Sequence, residues 1–178
     1  RITLQAIQKL AQQCTIIVLA CNTASVNDLD YFREQVAIPI VGVVPVIKTA
    51  AALTKNNKIA LLGTAITTES AYTDKLIRDF AVGKTVYKIA CPGLATAVEY
   101  HNLTEDHLRQ YLAPVKDADI VVLGCTHYTL IKGGIQRLVG PDVKVIDSNE
   151  AVARQTLRML QQSGTSSTQT QPTYTFEC

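Results

Sequence analysis

Two short stretches of this 178-residue chain repeat one arrangement of reactive side chains. Val18-Leu19-Ala20-Cys21-Asn22-Thr23 closes one apolar run, and Val122-Leu123-Gly124-Cys125-Thr126-His127 closes another. Each ends in a small residue, a cysteine, and a threonine within two positions. In parallel α/β sheets, ligands gather outside the carboxyl ends of the strands. Both cysteines fall there, at the entry to a helix. The free N–H groups and partial positive charge of a helix N-terminus favour a thiolate and also bind a carboxylate. Two thiols on opposite faces of a substrate suit removal of a proton on one face and delivery on the other, which inverts a stereocentre. Hydroxyls and amide N–H groups beside them would hold carboxylates and stabilise enolate charge. A single cysteine with a base would instead suggest covalent acyl chemistry. A cysteine after a buried strand is also, more simply, a small core hydrophobe. The polar neighbours Asn22, Thr23, Thr126 and His127 weigh against that, because a core would continue apolar.

The elements that must carry these residues alternate along the chain. Leu4, Ile7, Leu10, Ala11 and Cys14 recur at helical spacing, and Thr15 to Ala20 is an apolar run of strand length. Val26, Leu29, Phe32 and Val36 return to helical spacing until Pro39, and Ile40 to Val44 reads as the next strand. Helices follow at 46–55, 68–80, 95–100, 104–115, 130–138 and 149–161, with strands at 58–62, 85–90, 119–123 and 144–146. Continuously apolar strands separated by helices predict a parallel sheet covered on both faces. The class is α/β, with about six strands. Residues 161–171, rich in Gln, Ser and Thr, predict a loop, and the alternation at Tyr174 and Phe176 hints at a strand.

Composition removes several function classes. Hydrophobic residues make up 47% and charged residues 18%, with a net charge of +2, so disorder and a nucleic-acid footprint are not indicated. The longest apolar stretch, Ile38 to Ile47, holds two prolines and falls far short of the ~20 residues of a membrane helix. Five cysteines without a C-x-x-C, and three scattered histidines, give neither a disulfide framework nor zinc-ligand spacing. Free thiols in a reducing cytoplasm are the simplest expectation. Gly83-Lys84-Thr85 has the end of a P-loop, but Arg78 stands where its first glycine belongs and the triplet precedes a strand. Asn102-Leu103-Thr104 reads as a turn in which Thr104 caps a helix.

At the two cysteine segments the sequence resembles the glutamate racemases of the aspartate/glutamate racemase superfamily. Ala20-Cys21-Asn22-Thr23-Ala24-Ser25 and Gly124-Cys125-Thr126-His127-Tyr128 look like that family's two signature segments. Between them, Gly42-Val43-Val44-Pro45, Leu62-Gly63-Thr64 with Thr67, and Cys91-Pro92 followed by Glu99 match its pattern in order. Thr129, Asn149 and Ile66 are small departures. The resemblance implies interconversion of L- and D-glutamate for peptidoglycan, with no cofactor and no metal. Cys21 would take the proton from the D isomer and Cys125 from the L isomer. His127 would assist Cys125, with Glu99 close by. Asn22, Thr23, Thr64, Thr67 and Thr126 would hold the substrate's amino and carboxylate groups. Simpler roles stay open: Thr64 and Thr67 as helix caps, Glu99 as a solvated charge, His127 as a capping residue. Cys91 is expected in the core, and Cys14 and Cys178 have no expected function.

The resemblance also implies two similar parallel-sheet α/β domains with the active site in the cleft between them. Residues 1–44 with 145–178 would form the first and 45–144 the second. The family's Asp-Ser-Gly, Tyr-x-Gly-Asp and Pro-Tyr-Gly segments do not occur here, so the first domain is expected to lack a strand and an acid partner of Cys21. Residues 1–178 alone are then expected to be poorly stable and nearly inactive. The expected ligand is small, with neither nucleic acid nor membrane as partner, and a homodimer is left open. Aspartate racemisation and a two-lobed small-molecule binding module are the alternative readings.

Overall fold

The computed structural model describes residues 1–115, 117–164 and 173–176. Helix α1 (Ile2–Leu10) leads to strand β1 (Ile17–Leu19), helix α2 (Asn22–Glu34) and strand β2 (Ile40–Gly42). β1 and β2 pair in parallel, with Val18 opposite Val41. Pro39 prevents α2 from running on. Leu29 and Phe32 of α2 bury against Ile7, Ile17 and Ile40, a core that fixes α2 on the pair of strands.

Next come α3 (Ile47–Leu53), β3 (Lys58–Gly63), α4 (Ala65–Glu69), α5 (Ala71–Phe80) and β4 (Thr85–Ala90). Then follow α6 (Leu94–Glu99), α7 (Glu105–Leu112), a 3-10 turn (Ala113–Val115) and β5 (Ile120–Gly124). The chain continues through α8 (Thr126–Leu130), α9 (Lys132–Val139), β6 (Lys144–Ile146) and α10 (Asn149–Gln162). Four strands form a second parallel sheet in the order β4-β3-β5-β6, with Leu62 opposite Leu123 and Gly63 opposite Gly124.

Alternation sorts the central strands onto two cores, because successive strand side chains point to opposite faces. Ala60, Leu62, Val121 and Leu123 pack with Leu94, Leu108, Tyr128 and Ile135 on one face. Ile59, Leu61, Ile120 and Val122 pack with Ile47, Ala50 and Ala51 on the other. Burial on both faces explains why β3 from Ile59 onward and all of β5 are apolar. Leu62 has no exposed surface, and truncating such a side chain to alanine costs about 2–5 kcal/mol.

Away from the cysteines, at the amino ends of the central strands, Asp119 ties down the turn before β3. Its carboxylate accepts the Thr54 hydroxyl at 2.5 Å and the N–H groups of Lys55 and Asn56 at 2.5 and 3.1 Å. Burial opposes its charged form, but these donors outweigh that and hold Asp119 below its ordinary value. After β6, the Asp147 carboxylate accepts from Lys132 Nζ at 2.7 Å and from the Asn149 N–H at 2.9 Å. Burial again raises its pKa, and Lys132 with the Asn149 N–H more than reverses it. This fixes the turn into α10, which lies against β2.

The structure departs from the sequence expectations in places. The helix expected over 68–80 is two helices, because Ser70 is extended and its hydroxyl caps α5 by accepting the Thr73 N–H at 3.0 Å. The helix expected near 130–138 begins at Thr126 and breaks at Ile131. Thr104 does cap α7, through the His107 N–H. The four-stranded sheet runs on to Ile146, past the domain boundary drawn at residue 144. Gln161 and Gln162 end α10, most of the expected loop at 161–171 lies outside the described residues, and residues 173–176 have no regular structure. Cys178 also lies outside the described residues. Among the described residues, no helix is long and apolar enough to cross a membrane.

Candidate active site

Cys21 and Cys125 occupy equivalent places in the two sheets. Each follows the carboxyl end of a parallel strand in extended backbone, with φ/ψ of −138/117° and −147/134°, and each is the residue that opens a helix. Cys21 is exposed, whereas Cys125 is buried. Burial pushes the Cys125 thiol up, the N–H groups of His127 and Tyr128 partly offset this, and the charge of Cys21 adds to the rise. Cys125 is a desolvated acid that holds its proton tightly and becomes a strong base once it has lost it.

A chain of proton-exchanging groups leads away from Cys125. His127 Nδ1 lies 4.0 Å from the Cys125 sulfur, and its Nε2 lies 3.1 Å from Glu99 Oε2. Glu99 at the end of α6 thus orients the imidazole from the solvent side, with 63% of its own side chain exposed. Glu99 is thus both a largely solvated charge and a partner of His127, and the α8 terminus has no side-chain cap bond.

On the opposite side three hydroxyls meet in a triangle. Thr23 Oγ1 lies 2.9 Å from Thr64 Oγ1 and 3.3 Å from Thr67 Oγ1, and Thr64 and Thr67 are 3.1 Å apart. Thr23 comes from the first turn of α2, and Thr64 and Thr67 from the start of α4. Thr64 is also the cap of α4, accepting the Thr67 N–H at 3.2 Å. Thr67 lies within α4 and is fully buried. Thr126 stands half-buried at the first position of α8.

Asn22 is the most unusual member. Its residue is 2% exposed, and neither Nδ2 nor Oδ1 has a hydrogen-bond partner. A buried amide left unpaired costs about 1–3 kcal/mol, so such a group calls for an explanation. A ligand with its own donor and acceptor atoms would supply one.

Two further residues shape the site without having been singled out for a role from the sequence. A Cβ at Gly124 would come within 2.9 Å of the Leu62 carbonyl oxygen and 3.5 Å of Thr67 Cγ2. Only glycine lets β5 lie so close to β3 just before Cys125. Ser25, 1% exposed, donates its hydroxyl to the Leu19 carbonyl at 3.3 Å and accepts the Val43 N–H at 3.1 Å. Its sequence signal is a small polar residue on the apolar face of α2. Cys91 lies in the core as expected, where burial pushes its thiol up to about 12. The Tyr128 hydroxyl donates to the Cys91 carbonyl at 3.3 Å. Among the described residues, no three His, Cys, Asp or Glu side chains converge as a metal-ligand set.

Comparisons with known proteins converge on one family. The family model described as Asp/Glu/Hydantoin racemase matches residues 1–156. The glutamate racemase of Herpetosiphon aurantiacus is 40% identical over 151 residues, which are 82% of this chain and 59% of that protein. The crystal structure of Escherichia coli glutamate racemase, in complex with L-glutamate and the activator UDP-MurNAc-Ala, superposes with a TM-score of 0.83 at 32% identity, over 89% of this chain and 64% of that one. The glutamate racemase of Francisella tularensis in complex with D-glutamate gives a TM-score of 0.77 at 27% identity, over 95% and 65%. The chain spans 59% and 55% of the first two curated relatives, less than two thirds of their length.

Proposed function

Since this chain belongs to the Asp/Glu/Hydantoin racemase family, we propose that it carries both proton-transfer thiols of a glutamate racemase. The observation that carries the reading is the equivalent placement of Cys21 and Cys125, each at a strand end and a helix start, on segments that meet at Thr67. In the direction from D-glutamate, the Cys21 thiolate takes the α-proton. The electron pair left at Cα delocalises into the carboxylate as an enolate. The Cys125 thiol then gives its proton to the opposite face, which yields L-glutamate with Cys125 as thiolate. The reverse direction exchanges the two roles, and no electron is gained or lost.

The remaining residues support that exchange. The hydroxyls of Thr23, Thr64, Thr67 and Thr126 and the N–H groups opening α2 and α8 face the developing carboxylate charge, which is greatest in the transition state. The unpaired Asn22 amide takes up part of the substrate's polar head. His127, braced by Glu99, moves the proton of Cys125. The cleft lies between the two sheets, with residues 1–44 and the return through α10 on one side. D-glutamate made this way would supply peptidoglycan synthesis in the cytoplasm, where the free thiols at Cys14, Cys21, Cys91 and Cys125 stay reduced. A homodimer is the oligomer to be checked, by light scattering.

The test uses the intact protein in deuterated water, without added pyridoxal phosphate or metal. Each glutamate isomer should convert to the other with solvent deuterium at the α-carbon, and aspartate should turn over far more slowly. Binding of glutamate without α-proton exchange would refute the reading, and faster turnover of aspartate would redirect it.

A further inference from the structure

We propose that Ser25 is a positioning residue for the Cys21 thiol, an inference that rests on the two-thiol reading above. The Ser25 side chain joins the carboxyl ends of β1 and β2 to the first turn of α2. Its hydroxyl donates to the carbonyl of Leu19, the last residue of β1, at 3.3 Å. The same oxygen accepts the N–H of Val43, just past β2, at 3.1 Å. Its own N–H donates to the Cys21 carbonyl at 3.0 Å. Four contiguous groups, Leu19, Val43, Ser25 and Cys21, are thereby held in one frame, and Ser25 is 1% exposed within it. A helix start can otherwise pivot about the loop that precedes it, carrying its first side chain along.

The second cysteine has no such brace. At the matching position, four residues after Cys125, the Thr129 hydroxyl donates at 2.7 Å to Thr126 within its own helix and to neither strand. Cys125 is held instead by the tight approach at Gly124 and by its neighbour His127. Loss of the Ser25 hydroxyl therefore disturbs one thiol and spares the other. Folding is retained, because the Val43 N–H keeps the Leu19 carbonyl as acceptor at 3.2 Å.

The experiment compares wild type, Ser25→Ala and Ser25→Thr in the intact protein in deuterated water, starting from each glutamate isomer. In Ser25→Ala, kcat falls about 10- to 100-fold, the cost of a displaced reacting group, with a cooperative melt. From L-glutamate, Cys125 still removes the α-proton but Cys21 delivers poorly. The longer-lived enolate gives the Cys125 thiol time to exchange its proton with deuterated water through His127 and return a deuteron, so deuterium in recovered L-glutamate rises relative to D-glutamate formed. From D-glutamate the corresponding ratio does not rise. Ser25→Thr, which keeps the hydroxyl, restores the wild-type ratios. Equal changes from both isomers, an unaltered Ser25→Ala, or a folded Ser25→Thr that behaves like Ser25→Ala would overturn the inference while leaving an active wild type explained. A wild type that racemises neither isomer would remove the racemase reading and this inference with it.

Discussion

The hydroxyl oxygens of Thr23 and Thr64 lie 2.9 Å apart, although the two residues follow strands of different sheets. Thr23 follows Cys21 on α2, and Thr64 follows the end of β3, the strand beside the one that leads to Cys125. The bond joins the two halves of the candidate site. Thr23→Val keeps the shape and removes both hydroxyl contacts. It should raise KM for glutamate about tenfold, the equivalent of roughly 1.4 kcal/mol, with little change in melting temperature. Steady-state kinetics beside a thermal melt would check it, and an unchanged KM would show that the triangle plays no part in holding substrate.

Under the proposed two-thiol mechanism neither thiol can substitute for the other, because each would serve one face of Cα. Cys21→Ala and Cys125→Ala should each lower racemisation by at least the roughly 10²–10⁴-fold typical of a lost acid or base. Polarimetry from both isomers reads this directly. Retained racemisation in either variant would sink the two-base mechanism.

Glu99 should separate activity from stability. Its contact with His127 is a surface one, with 63% of its side chain exposed, and such contacts contribute about 0–1 kcal/mol. Glu99→Gln should therefore melt like wild type while kcat falls, by less than the roughly 10²–10⁴-fold of a direct acid or base. A loss of stability in step with activity would assign Glu99 a packing role instead.

Asp119 gives a prediction in acid. Its folded-state pKa lies below the ordinary 3.8, so its contribution is present above the unfolded value and disappears as pH falls through the folded one. Asp119→Ala should thus cost about 1–3 kcal/mol at neutral pH. The gap from wild type should close as the pH drops below 3.8. Urea titrations across this range measure it, and a gap that stayed constant would mean that the carboxylate is not the stabilising species.

Strands β4 and β6 were legible in the sequence to the residue, because each lies between turn residues that stop it. The paired cysteines were legible too, since polar residues directly after an apolar strand stand out. The breaks at Ser70 and Ile131 were not, because the helical period runs through both, and at Ser70 the interruption comes from a side-chain oxygen competing for a backbone N–H. Ser25 stands at the end of the first cysteine segment, but its bonds to Leu19 and Val43 exist only once β1 and β2 lie side by side. The unpaired state of Asn22 is likewise a property of its surroundings, not of its neighbours in sequence.

Gly124 carries a consequence for how this site can change. A methyl there would press on a main-chain oxygen only 2.9 Å away, which no rotamer can relieve. The backbone beside Cys125 is thus closed to substitution at this position, and if the site takes amino acids as proposed, a change of substrate range would have to be written in other residues around it.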